Sequence, residues 1–173
     1  MTMLTLDDVR HSLQDLPSLP AVVMELLGSI DQEDVDISVL ARKVSLDQAL
    51  TRLSADAERP VGEALLDQRN LSGIGNMYKA EACFLVGVHP FTPVGQVDVL
   101  RQLVEKARRL LQANLNRADQ TTTGDLRRGH RLWVYGRRGQ PCRRCGTRIQ
   151  AVDTGTNGTE RVTYWCPRCQ PDG

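Results

Sequence analysis

Phe, Tyr and Trp together supply only 4% of the 173 residues, too few to face a large β-sheet, whose packing rests on aromatic and β-branched side chains. The core must therefore be built from Leu, Val, Ile and Ala, which suits packed helices. No apolar run exceeds a few residues, so no segment has the roughly 20-residue apolar length that spans a membrane. The amino terminus, Met1-Thr2-Met3-Leu4-Thr5-Leu6-Asp7-Asp8, is acidic where a secretory leader is basic, and the expected compartment is a reducing cytoplasm. The three histidines, His11, His89 and His130, have no metal-like spacing. With 25% charged and 40% apolar residues the composition is that of an ordinary soluble protein.

Cysteine is the exception. Four of the five fall in two pairs, Cys142-x-x-Cys145 and Cys166-x-x-Cys169, separated by twenty residues. Each pair can fold as a tight knuckle aiming two sulfurs at one centre, and four thiolates suit a tetrahedral Zn²⁺. Between the pairs, Arg148, Ile149, Ala151 and Val152, a turn-rich stretch from Asp153 to Gly158, and Arg161 to Trp165 read as strand, turn, strand. The spacing predicts a zinc ribbon, with two disulfides as the alternative. Cys83 stands alone in an apolar helical run and reads as a core residue rather than a reactive thiol.

The net charge of +1 hides a strong polarity. Residues 1–63 carry a net of minus seven, residues 64–120 plus two, and residues 121–173 plus six, with all ten bases of the last group arginine. Guanidinium forks match phosphate oxygens bidentately, so the carboxy-terminal module has the footprint of a phosphate-binding surface.

Along the chain, Leu4 to Leu13 predicts a helix capped by Thr5, and Pro20 opens a second carrying Val22, Val23, Leu26, Leu27 and Ile30. Asp31 to Asp36 reads as an acidic loop. Asp36 caps a third helix and Asp47 a fourth, and Ser54 to Pro60 reads as a linker. Helices are expected over Val61–Leu66, from Asn76 (as N-cap) to Gly87, and from about Val97 to Asn116. The Gly73-Ile74-Gly75 turn delivers backbone N–H groups to a helix N-terminus and could dock an anion. Thr121 to Gly129 is expected to be irregular. Trp133, Tyr135, Tyr164 and Trp165 could stack on bases or pack around the ribbon.

The run RPVGEALLDQRNLSGIGNMYKAEACFLVGVHP from Arg59, with VYGRRGQPCRRCGT from Val134 and RVTYWCPRCQ from Arg161, resembles the carboxy-terminal half of the formamidopyrimidine-DNA glycosylase and endonuclease VIII family, the endonuclease VIII branch above all. The resemblance covers about Leu53 to Gln170. It implies a mainly α fold, a multi-helix bundle with a helix-two-turn-helix module and a small β-hairpin zinc ribbon. It also implies a bacterial setting and double-stranded DNA, with damaged or abasic sites, as partner. The motif GxGNxYxxE occupies Gly73 to Glu81. By that motif, Asn76 and Arg161, the Arg five residues before the third cysteine, are the phosphate-holding residues, and Gly75, Tyr78, Arg137 and Arg138 join them as DNA-binding candidates. Glu81 is expected to orient the turn near Asn76.

The family's catalytic residues are an N-terminal Pro amine and the following Glu, where this chain reads Met1-Thr2-Met3. With no other activated nucleophile evident, no catalytic residue is assigned, and loss of glycosylase activity is expected. A further reading is residual strand cleavage at abasic sites through a surface amine such as Lys79 or the N-terminus. Residues 12–50 resemble the opening helices of an HDOD domain, through their LPxLP opening, acidic loop and ISVLARKVSLDQAL. The expected organisation is an HDOD-like segment over residues 1–52, a helix-two-turn-helix module over 53–128 and a zinc ribbon over 129–173, a recombined or engineered chimera. Two functions follow: a zinc-containing, non-catalytic DNA-binding protein, or a structural or regulatory helical protein without DNA activity.

Overall fold

The computed structural model describes residues 37–115, 119–154 and 161–172, with side chains from Leu46 onward. The first two expected helices, the acidic loop, the Asp36 cap, His11 and Asn116 lie outside these residues. The chain divides into two compact units, Met1–Arg42 and Lys43–Gly173. Of the first, only the opening of a helix at Ile37 is described. No helix among the described residues is long and apolar enough to cross a membrane.

The described architecture is mainly helical: α1 (Ile37–Ser54), α2 (Val61–Leu66), α3 (Asn76–Val86), a 3₁₀ turn (Val94–Gln96) and α4 (Leu100–Asn114), then an antiparallel pair, β1 (Gln150–Thr154) and β2 (Arg161–Trp165). The register sets Thr154 opposite Arg161 and Val152 opposite Thr163.

α1 is one helix where two were expected, and Asp47 lies inside it rather than capping a new one. No Gly or Pro interrupts Ile37 to Ser54, and Leu46, Leu50 and Leu53 continue a single apolar stripe into the core. The segment after it is no slack linker. Val94 N–H donates to Arg59 O at 3.0 Å and Gly95 N–H to Ala57 O at 2.8 Å. α4 begins three residues later than expected, because Val97 leaves the 3₁₀ turn in extended backbone, φ −92° and ψ 90°.

α3 is the axis of this unit. Its residues from Tyr78 to Phe84 are all buried, Lys79 and Glu81 among them, so the helix is covered on every side. One side joins Leu53, Val61, Leu65, Leu103 and Val104 in a helical core. The other places Ala80 and Phe84 against Val134, Ile149, Cys142 and Cys166 of the ribbon. Each such fully buried Leu, Val or Phe contributes roughly 1.5–3 kcal/mol. Gly87 ends the helix in the left-handed conformation (φ 85°), its N–H returning to Cys83 O and Phe84 O; a Cβ there would be strained.

Candidate metal centre and nucleic-acid interface

The knuckles bring Cys142, Cys145, Cys166 and Cys169 together, with all four Sγ atoms within 4.8 Å of one another. Cys142 and Cys169 sulfurs stand 3.9 Å apart, and Cys145 and Cys166 sulfurs 3.4 Å. A tetrahedral Zn²⁺ with 2.3 Å bonds spaces its sulfurs by about 3.8 Å, so the donor set fits one ion. These separations also set aside the disulfide alternative, since bonded sulfurs lie about 2.05 Å apart. Burial, and then the neighbouring sulfurs, raise the Cys169 thiol well above its ordinary value, while a hydrogen bond with Thr147 lowers Cys145 to about 6. Four thiolates gathered this closely repel one another unless a cation sits among them. When bound, the ion serves as a structural cross-link between the knuckles.

Three side chains seat the ribbon on α3. Glu81, fully buried, accepts the N–H groups of Trp133, Val134 and Tyr135, each at 2.8 Å, and the Thr122 hydroxyl. Its role is therefore to hold the segment entering the ribbon, not the turn near Asn76. Arg144, between the first two cysteines, lies 4.4 Å over the Phe84 ring and donates to Phe84 O at 3.2 Å. Gln170 is fully buried; it donates to Val88 O at 2.8 Å and accepts from Cys166 N–H at 3.0 Å. The last two residues carry no distinctive spacing, and sequence reasoning missed them. The aromatic side chains pack: Trp133 stacks on Phe84 with centroids 5.6 Å apart, Tyr135 meets Tyr164 edge-on at 5.3 Å, and Trp165 meets both His89 and Phe91. Cys83 is fully buried, and burial pushes its thiol up to about 12, as a core residue requires.

Asn76 and Arg161 come together. Asn76 is the first residue of α3 and Gly75 its N-cap, with no side-chain capping bond. The Asn76 amide instead donates to Val162 O at 2.8 Å, next in sequence to Arg161 at the start of β2. Asn76 Oδ1 is the one buried side-chain polar atom without a partner among the described residues. The first intrahelical bond runs from Lys79 N–H to Gly75 O, so the N–H groups of Asn76, Met77 and Tyr78 are the helix's spare donors. A Cβ on Gly75 would meet nothing within 4 Å, so the space beside the N-cap is open.

Other candidates fall elsewhere. Tyr78 is 5% exposed, its side chain in the helical core, and burial raises its hydroxyl above the usual tyrosine range; only its backbone N–H faces the helix end. Arg137 is buried and donates to Trp133 O, to Pro141 O at 2.8 Å and to Gln140 Oε1 at 3.2 Å. Its guanidinium thus braces the ribbon loop and is not a free phosphate donor. Arg138 is exposed. Lys79, expected at the surface, is 2% exposed. Arg161 and Lys79 line a cavity of about 380 Å³ with Arg59, Gly62, Glu63, Asp67, Pro90, Phe91 and Thr163.

Comparison with known proteins agrees with this geometry. The family model for the formamidopyrimidine-DNA glycosylase H2TH domain matches residues 38–125, and that for the zinc finger found in FPG and IleRS matches residues 139–171. The first begins inside the stretch likened to an HDOD domain. The DNA-(apurinic or apyrimidinic site) lyase Nei2 of Mycolicibacterium smegmatis is 52% identical over 122 residues, 70% of this chain and 47% of its own length. The probable endonuclease 8 2 of Streptomyces coelicolor is 53% identical over 126 residues, 72% of this chain and 45% of its own. The MutM protein of Thermus thermophilus superposes with a TM-score of 0.60 at 29% identity, over 74% of this chain and 50% of that one. The Lactococcus lactis Fpg in complex with abasic-site DNA gives 0.60 at 26% identity, over 73% and 47%. The chain spans about half the length of these relatives. With the four-cysteine centre a zinc site and the helical module matched over half its residues, this chain belongs to the formamidopyrimidine-DNA glycosylase H2TH family.

Proposed function

We propose that this chain binds duplex DNA through its phosphate backbone, with Asn76 and Arg161 as a two-residue clamp and the zinc ribbon as its rigid support. The hydrogen bond from Asn76 to Val162 O carries the reading. It couples the spare N–H groups of the α3 N-terminus to the strand that bears Arg161, so two phosphate donors of different kinds are held by one fold. The net charge of plus six over residues 121–173 supports it, as do relatives solved with abasic-site DNA. Gly75, the N-cap, and the backbone N–H of Tyr78 belong to the same helix end, and Arg138 is an exposed arginine of the ribbon module.

No bond-breaking step is assigned to the described residues. Lys79 is too buried to serve as a surface amine, and Glu81 is committed to three backbone donors. On this proposal the chain is the DNA-holding part of a base-excision-repair glycosylase, and residues 1–36 take no part in the clamp.

The test is duplex binding, with and without an abasic analogue, at low and moderate salt, for the zinc-loaded protein and its Arg161→Ala variant. The expected result is affinity that falls steeply with salt, and a variant whose log–log salt slope is smaller by about one. Zinc-loaded, folded protein that does not bind would overturn the proposal and favour a structural role.

A further inference from the structure

Behind Arg161 sits the buried ammonium group of Lys79. Lys79 Nζ donates to Thr163 Oγ1 at 2.8 Å. Thr163 Oγ1 lies 2.9 Å from Thr154 Oγ1, and the Thr154 hydroxyl donates to Arg161 O at 2.7 Å. Because the Thr154 hydrogen is committed to Arg161 O, Thr163 must donate to Thr154. The three bonds then run in one direction, from the ammonium to the backbone of Arg161, and each polarises the next. The lysine stem reaches this position by crossing Gly62, where a Cβ would stand 3.5 Å from Lys79 Cδ and 2.8 Å from Pro90 O.

The surroundings do not neutralise this charge. Arg161 faces Lys79 from β2 and Glu63 from α2, and Cys83 lies on its own helix. The Cys83 thiol is held neutral by burial. In the same cavity wall Asp67 is already shared between Arg59 at 2.9 Å and Arg69 at 2.6 Å. One carboxylate, Glu63, is thus left against two cations.

Resting on the phosphate-clamp reading, we propose that Lys79 is a positioning residue of that clamp: its buried charge, relayed through Thr163 and Thr154, fixes the strand bearing Arg161 and supplies positive potential behind the phosphate, so that DNA affinity depends on the protonation of Lys79. Burial, the largest influence, holds this ammonium down to about 8. A phosphate nearby favours the charged form and raises that value, so binding above about pH 8 takes up a proton. Affinity is then complete below about pH 8 and falls as pH rises past it, by at most about tenfold per pH unit.

The experiment measures duplex DNA binding from about pH 7 to about pH 9.5 for the zinc-loaded protein and for Lys79→Met, Thr163→Val and Arg161→Ala. Zinc content and thermal melting check folding. Wild type is expected to lose affinity above about pH 8. Lys79→Met is expected to bind about tenfold more weakly at neutral pH with a flat profile. Thr163→Val keeps the charge but removes its acceptor, and should move the midpoint of the fall to lower pH. Wild-type affinity or the wild-type pH profile in Lys79→Met overturns the inference, as does an unmoved midpoint in Thr163→Val, which serves even if the methionine variant does not fold. If Arg161→Ala binds as tightly as wild type, the clamp itself fails. If that variant is weakened while Lys79→Met is not, the clamp stands and only the role of Lys79 falls.

Discussion

The Asn76 side-chain amide donates a 2.8 Å hydrogen bond to the carbonyl oxygen of Val162, joining the first turn of α3 to β2 across 86 residues of sequence. Since Val162 follows Arg161, the bond fixes where the guanidinium emerges relative to the helix N-terminus. Asn76→Ala should cost about 1 kcal/mol of folding stability, the usual net value of one hydrogen bond, and should weaken DNA binding. Asn76→Asp separates the two effects. A negative charge in the first turn favours the helix dipole by about 0.3–1 kcal/mol but repels phosphate. That gain is offset by setting a carboxylate oxygen in place of the amide donor against Val162 O, so the aspartate variant should melt close to the alanine variant and bind DNA more weakly. Thermal melts and binding isotherms on both variants check this, and parallel losses in the two would contradict it.

How much of this was legible in the sequence depended on whether the information was local. The cysteine spacing, the β2 limits at Arg161 and Trp165, and α2 over Val61–Leu66 were readable because each rests on neighbouring residues. Asp47 misled, since an acidic residue after Ser45 has the look of a cap, and only the stripe of Leu46, Leu50 and Leu53 packing in the core overrules it. The motif marks Asn76, but the cap it suggests is taken by Gly75. The Asn76 side chain turns away from its own helix toward Val162, a partner that only the tertiary fold supplies. Arg137 and Lys79 show the same limit: both carry surface-type charges, yet one braces carbonyls and the other is buried behind β2. Charge type is written in the sequence, but burial of a charge is decided by whether distant acceptors converge on it.

Glu81 offers a sharper test of how the ribbon is held. Removing its carboxylate leaves the buried or half-buried N–H groups of Trp133, Val134 and Tyr135 without their acceptor. Each unpaired buried donor costs roughly 1–3 kcal/mol, so Glu81→Ala should lose at least about 3 kcal/mol in chemical denaturation. Glu81→Gln, which keeps one acceptor oxygen, should lose less. Equal losses would mean that side-chain volume, and not the acceptors, matters at this position.

Zinc removal should act unevenly. Structural zinc sites contribute roughly 10–16 kcal/mol of binding free energy; the ribbon's other supports are a five-residue strand pair, the Arg144 contact, Gln170 and the Glu81 carboxylate, which holds only the segment leading into it. The helical core of Leu53, Val61, Leu65, Leu103 and Val104 involves no cysteine ligand. A chelator should therefore abolish the ordered environment of Trp133 and Trp165 in near-ultraviolet circular dichroism while most helical signal survives. Simultaneous loss of both signals would show that the helical core cannot stand without the ribbon.

Lys79 makes a prediction in which stability and binding move in opposite directions. Its ammonium is held at about 8 against an ordinary 10.5, chiefly by burial, and keeping it charged at neutral pH costs roughly 3 kcal/mol by linkage. Between these two values the unfolded chain binds the extra proton and the folded chain does not, so stability should rise as pH climbs through that window. Lys79→Met fills the same space without charge. It forfeits one hydrogen bond to Thr163, worth about 1.5–3 kcal/mol because the donor is charged, so the net gain at neutral pH should be about 1 kcal/mol. The rise in stability between neutral and alkaline pH should also disappear. Urea denaturation at about pH 7 and about pH 10 measures both. A methionine variant that is markedly less stable than wild type at neutral pH would make Lys79 a structural tie between α3 and β2. A variant that is as stable or more so, yet binds DNA more weakly, would show a buried charge maintained against the stability of the fold, as a residue serving a binding site is.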